Sequence, residues 1–120
     1  MQRLVEVVLD PLRAALGRPV RVTSGYRAPT VNRAINGSPT SQHMLGEAAD
    51  IKVVGLSAEA LATAIVQLGL PVDQVIWYAP ERGGHVHVSF TDTRPNRRQA
   101  LHAPAGGGYF AWAPASARVA

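Results

Sequence analysis

The chain of 120 residues has no cysteine, is 47% hydrophobic and 17% charged, and carries a formal net charge of +4. This length supports one domain, and the apolar fraction is too high for a disordered chain. The absence of cysteine excludes disulfide scaffolds and a cysteine nucleophile, so any metal site must use histidine and carboxylate. Because no apolar run approaches the ~20 residues of a membrane helix, and charges interrupt the N-terminal apolar stretch, we expect a soluble protein without a signal peptide.

The positive charge is concentrated at the C-terminal end. Residues 1–93 contain as many acidic as basic side chains, and the excess comes from Arg94, Arg97, Arg98 and Arg118. Since neither a lysine-rich stripe nor a pattern of stacking aromatics accompanies these arginines, we do not expect nucleic-acid binding. This basic tail is instead predicted to dock on an acidic protein or an anionic polymer.

The predicted elements describe an α+β fold. Apolar residues at helical spacing predict a helix over 4–16, with a kink at Pro11 and an end at Gly17. The other predicted elements are a strand at 20–23, a short helix at 29–36, a strand at 49–54, a helix capped by Ser57, and strands at 74–78 and 85–90. Together they predict a small antiparallel sheet of about four strands with flanking helices.

A change in composition follows the last predicted strand. Residues 92–120 are rich in Pro, Arg, Gly and Ala and show no period. We therefore predict two units, a domain of residues 1–91 and an irregular, basic C-terminal extension of residues 92–120.

Three histidines and one aspartate are candidates for chemistry. His43 and Asp50 lie seven residues apart in the segment SQHMLGEAAD, and His85 and His87 alternate in HVHVSF. The alternation directs both of the latter side chains to one face of a strand. Catalytic zinc takes three protein ligands of this kind and leaves a fourth position for water. From the spacing alone, the alternative is that each histidine is an ordinary core or surface residue and Asp50 a turn residue.

The pattern SxHxxGxAxD at residues 41–50, preceded by SGYR at 24–27 and followed by HVH at 85–87, resembles the zinc D-Ala-D-Ala carboxypeptidase family. This family includes phage L-Ala-D-Glu endolysins and the hedgehog domain. The resemblance covers roughly residues 4–90. It implies a hedgehog-like or DD-peptidase-like fold, a Zn²⁺ cofactor and the stem peptide of peptidoglycan as substrate.

The resemblance also implies a role for individual residues. His43, Asp50 and His87 are the implied zinc ligands. Arg27 is implied to hold a substrate carboxylate, for which its planar guanidinium is suited. The alternative is that Arg27 is a surface residue in a turn. Ser41 either binds a substrate carbonyl or caps its loop.

The sequence departs from the family pattern at Gly84, where many members carry the Glu or Asp that acts as general base. Two residues are candidate replacements, His85 on the strand and Glu81 in the preceding turn, and His85 is favoured as base or as stabiliser of the tetrahedral intermediate. The leading hypothesis is a zinc metallopeptidase of the D,D-carboxypeptidase or endopeptidase type. The alternative is a phage virion structural or wall-binding module that keeps the zinc site with little or no catalysis.

The tail RPNRRQALHAPAGGGYFAW resembles the ends of small bacteriophage proteins of this family. This resemblance implies a phage or prophage gene product whose basic tail contacts virion proteins. We expect it to be made in the bacterial cytoplasm and to act at the cell wall or to be carried in a phage particle.

Overall fold

The computed structural model describes residues 2–24 and 46–114, which form an α+β fold with one six-stranded sheet. The strands are β1 (Arg21–Ser24), β2 (Ala48–Lys52), β3 (Gln74–Tyr78), β4 (Val86–Ser89), β5 (Gln99–Ala103) and β6 (Phe110–Ala111). The helices are α1 (Gln2–Leu4), α2 (Asp10–Leu16) and α3 (Ala58–Gln67), with a π-helical stretch at Val5–Leu9 and a 3₁₀ turn at Pro80–Arg82. The short helix predicted at 29–36 lies outside the described residues. Within them, no helix has the length and hydrophobicity needed to cross a membrane.

The N-terminal helix is distorted immediately before Pro11, as the sequence predicts. In the π-helical stretch, the N–H of Asp10 donates to the carbonyl oxygen of Val5, five residues earlier. Because Pro11 has no N–H and its ring crowds the carbonyl one turn back, a widened turn accommodates it. The helix then ends at Gly17, whose φ of +63° is a left-handed conformation that glycine adopts freely.

The core lies between the helices and one face of the sheet. Alternate residues of the central strands are fully or almost fully buried there, and they pack with apolar side chains of the helices: Ile51, Val75, Val86, Val88, Leu4, Leu12, Leu61 and Ile65. Ser57 caps α3 as predicted, because its hydroxyl oxygen accepts a 3.1 Å hydrogen bond from the N–H of Ala60. Since side chains alternate along a strand, the residues between the core positions face the opposite side of the sheet.

The sheet is mixed, so the expectation of a purely antiparallel sheet is wrong. The strand order is β1-β2-β4-β3-β5-β6, in which β5 runs parallel to β3 and the other neighbours are antiparallel. The four expected strands are present as β1 to β4. The parallel strand comes from the segment for which the composition predicts no regular structure.

The expectation of an irregular C-terminal extension is therefore wrong for β5 and β6. The segment QALHA pairs with β3 along its whole length, from Gln74 opposite Gln99 onward. The physical reason lies just before β3, where the buried carboxylate of Asp73 binds the side chains of Arg94 and Arg97. These contacts hold the returning chain beside the edge of β3, and such tertiary context decides strand formation where propensity is weak. The functional division of the chain at residue 91 and the hedgehog-like classification stay predictions.

Candidate active site

Strand pairing brings Asp50 of β2 and His87 of β4 together. They are directly opposite each other in the antiparallel register, so both side chains leave the sheet on the face away from the core helices. The Nδ1 atom of His87 lies 3.2 Å from Oδ1 of Asp50, and the two side chains are only 15% and 17% exposed. This low exposure strengthens their electrostatic interaction, because little water screens it.

An irregularity in β1 fixes the backbone of Asp50 from the other side. Val22 pairs with Ile51 and Ser24 pairs with Asp50, which leaves Thr23 as the extra residue of a β-bulge. The Thr23 hydroxyl donates a 3.1 Å hydrogen bond to the carbonyl oxygen of Asp50. Asp50 is thus held between two neighbouring strands.

His85 joins this pair from the position just before β4. Its Nε2 atom lies 4.0 Å from Oδ2 of Asp50, which is longer than a hydrogen bond. The N–H of Tyr78 donates to the carbonyl oxygen of His85, and the Tyr78 ring stacks on the imidazole with centroids 4.3 Å apart. The structure therefore brings together three of the predicted site residues, namely Asp50, His85 and His87.

Sequence reasoning did not assign three residues to the site: Tyr78, which stacks on His85, and Arg82 and Tyr109, which contact Tyr78. The hydroxyls of the two tyrosines are 3.3 Å apart, and the Arg82 guanidinium lies 5.4 Å and 5.0 Å from the centroids of their rings. The register of the β3–β4 hairpin would have identified Tyr78 as a neighbour of His85. Nothing local in the sequence indicates that Tyr109 reaches this place.

Burial raises the pKa of the Tyr78 phenol well above its usual range. The hydrogen bond with Tyr109 and the negative charge of Asp50 act in the same direction, because each disfavours the phenolate. Tyr78 therefore keeps its proton at neutral pH. It can take part in hydrogen bonds at the site but is unsuited to act as a base.

The remaining predicted residues are placed as follows. Arg27, Ser41 and His43 lie outside the described residues. Glu81 is exposed in the 3₁₀ turn that precedes β4. Within the part of the chain that the structure describes, no hydrogen bond or ion pair joins Glu81 to Asp50, His85 or His87.

The Asp50–His87 pair fits two of the three protein ligands of a zinc ion. Ligand atoms at ordinary distances from a tetrahedral zinc are about 3.3 Å apart, and these two atoms are 3.2 Å apart. Imidazole and carboxylate are also donors that zinc accepts. Among residues 2–24 and 46–114, no group of three His, Cys, Asp or Glu side chains is arranged to hold a metal. A zinc site built on this pair would need a third ligand from outside these ranges, and His43 is the predicted one.

Comparison with known proteins agrees with the resemblance seen in the sequence. A family model described as Peptidase M15 matches residues 2–89, a range that includes β1 to β4 and the Asp50, His85 and His87 cluster. The zinc D-Ala-D-Ala carboxypeptidase of Streptomyces albus G is 34% identical over 87 residues, which are 72% of this chain. The chain covers only 34% of the length of that protein. On the family match, the chain belongs to the peptidase M15 family.

Proposed function

We propose that the chain is a zinc metallopeptidase that cleaves the stem peptides of peptidoglycan. The observation that carries this proposal is the Asp50–His87 pair, whose 3.2 Å separation suits two ligands of one zinc ion. Membership of the peptidase M15 family supports the reaction class. The name of the Streptomyces albus G relative, a zinc D-Ala-D-Ala carboxypeptidase, supports the metal and the substrate.

Three residues of this chain would hold the metal, and their charges suit electrophilic chemistry. Asp50 and His87 are two of the proposed ligands, and the third is His43, which occupies the ligand position of the SxHxxGxAxD pattern. Bound zinc supplies a Lewis acid and lowers the pKa of a coordinated water toward neutrality. Because the ligand set contributes one carboxylate and two neutral imidazoles, the centre keeps a net positive charge.

The other proposed residues bind the substrate or move protons. Arg27 binds a substrate carboxylate, which favours a carboxypeptidase because its substrate ends in a free carboxylate. Ser41 donates to a substrate carbonyl. His85, with Nε2 4.0 Å from Oδ2 of Asp50, is close enough to the proposed ligands to transfer a proton or to stabilise the tetrahedral intermediate. Glu81 is the alternative base, although it is exposed in its turn.

A second candidate is a phage virion or wall-binding module of the same fold with little or no catalysis. The observation that favours it is Gly84, which has no carboxylate and whose φ of +62° strains any other residue placed there. Docking through the basic tail has less support, because Arg94 and Arg97 are both paired with Asp73 of the same chain.

Metal analysis and peptide cleavage distinguish the two candidates. We expect the purified chain to hold about one zinc, as a three-ligand site implies, and to release terminal D-Ala from a stem pentapeptide in a mass-spectrometric assay. His43→Ala should abolish both. His85→Ala should keep the zinc and lower cleavage by ~10²–10⁴-fold, and Glu81→Gln tests the alternative base.

Two results would contradict the proposal at different points. If zinc-loaded wild type binds the pentapeptide without cleaving it, the binding module is the better description. If His43→Ala retains all the zinc, the ligand assignment is wrong.

A further inference from the structure

The C-terminal segment reaches the candidate site although it lies beyond the family match, which ends at residue 89. We propose that Tyr109, acting through Tyr78, is a positioning residue that holds the His85 ring in its working orientation. This inference rests on the proposed peptidase function for the role of His85. The orientation itself is a separate physical claim.

The His85 ring is confined on two sides. Tyr78 stacks on it with an angle of 21° between the ring planes. Gly83 approaches so closely that a Cβ atom built there would lie 2.8 Å from His85 Nδ1 and 3.1 Å from its Cε1. Because Gly83 leaves no space for a side chain and Tyr78 covers the ring, a change in the Tyr78 position would allow the imidazole to turn.

The Tyr78 ring is in turn held by Tyr109. The two hydroxyls are 3.3 Å apart, and the two rings meet edge to face with centroids 6.0 Å apart. Either hydroxyl can donate this hydrogen bond, and burial together with the bond itself raises the pKa of the Tyr78 phenol.

Tyr109 owes its position to its loop and not to the core, since it is 52% exposed. Arg82 donates to the carbonyl oxygens of Gly108 at 2.7 Å and Pro104 at 3.3 Å, which fastens this loop to the turn before β4. The same guanidinium lies against both tyrosine rings. A half-exposed tyrosine held by this many contacts beside the site is better explained by positioning than by packing.

Loss of the Tyr109 hydroxyl tests the proposal. Tyr109→Phe keeps the ring and its contact with Arg82 but removes the hydrogen bond to Tyr78. Small errors in the placement of a catalytic group cost up to about 10²-fold in rate, so we expect kcat to fall by about 10-fold or more while KM and zinc content stay the same. Tyr78→Phe should have the same effect, and the double variant should be no worse than either.

A spectroscopic readout separates this proposal from the proposed function. The chain has four histidines, so ¹³Cε1-histidine labelling gives four signals. The His85 signal, displaced by the Tyr78 ring current, should move in Tyr109→Phe. His102, stacked on Trp77 with centroids 3.6 Å apart, should not move and thus reports an intact fold.

Phe110→Ala is the matched control, because it removes a neighbouring exposed aromatic ring that is 59% exposed. It should leave both the His85 signal and kcat unchanged. The proposal is overturned if Tyr109→Phe leaves the His85 signal at its wild-type position, or if the signal moves without any change in kcat. If wild type cleaves nothing, the proposed function fails, and the His85 signal alone decides whether Tyr109 orients the ring.

Discussion

The ion pairs around Asp73 lead to a quantitative prediction about stability. The Asp73 carboxylate is completely buried and binds the Arg94 side chain at 2.7 and 2.9 Å. It also accepts from the Arg97 side chain at 2.9 and 3.1 Å and from the Arg97 N–H at 3.0 Å. The arginine side chains are 44% and 50% exposed, so water solvates either of them if Asp73 is removed. The Asp73 carboxylate is buried, so water does not replace an arginine that is removed.

This asymmetry sets the expected magnitudes. Arg94→Ala or Arg97→Ala alone should cost about 1–2 kcal/mol of unfolding free energy, because the remaining arginine still neutralises Asp73. The double variant leaves a buried carboxylate with one backbone donor and should cost about 3–5 kcal/mol. That loss is a large part of the ~5–15 kcal/mol that stabilises a domain of this size. The double variant should therefore lose more unfolding free energy than the sum of the two single losses.

Urea unfolding, followed by the fluorescence of Trp77 and Trp112, measures these costs as changes in midpoint at constant slope. Arg98→Ala is the matched control: it removes the same charge from the next, exposed position, and arginine and alanine are similarly strained at its φ of +53°. The reasoning is refuted if the double variant unfolds within ~1 kcal/mol of both the wild type and Arg98→Ala.

Two further predictions follow from the same cluster. The Arg94 side chain, with help from Arg97, holds the pKa of Asp73 well below its usual range, so its stabilisation is complete above about pH 4 and is lost as the pH falls further. The stability gap between wild type and Asp73→Asn should shrink by up to ~1.4 kcal/mol per pH unit below pH 4 in acid urea titrations, and a constant gap would contradict this. Truncation after Thr93 removes both arginines and β5, so we expect loss of the cooperative transition in circular dichroism. A truncated chain with the wild-type midpoint would show instead that the extension is separable.

The elements that the sequence predicts are those that depend on local chemistry. The Pro11 distortion and the Ser57 cap each follow from one residue and its nearest neighbours. The shared face of His85 and His87 follows from strand alternation. The pairing of Asp50 with His87 goes further, since it requires the β2–β4 register, and here the family resemblance supplied what the local pattern does not contain.

The elements that were missed depend on contacts between distant parts of the chain. The segment QALHA forms β5 because Asp73 binds Arg94 and Arg97, 21 and 24 residues later. Tyr109 reaches His85 through Tyr78, 31 residues earlier in the chain. The net charge of the arginines predicts a docking tail, because composition does not reveal that a buried carboxylate elsewhere pairs with two of them.

The position of the candidate site is a consequence of how the core packs. Val86 and Val88 are completely buried on the helix side of β4, which places His87 between them on the opposite face. A slip of one residue in this strand would move both valines out of the core and His87 into it, at a cost of about 1.5–3 kcal/mol for each exposed valine. The apolar core thus holds the register that sets His87 opposite Asp50. Substitutions at the buried valines are therefore expected to disturb the proposed metal ligands without touching them.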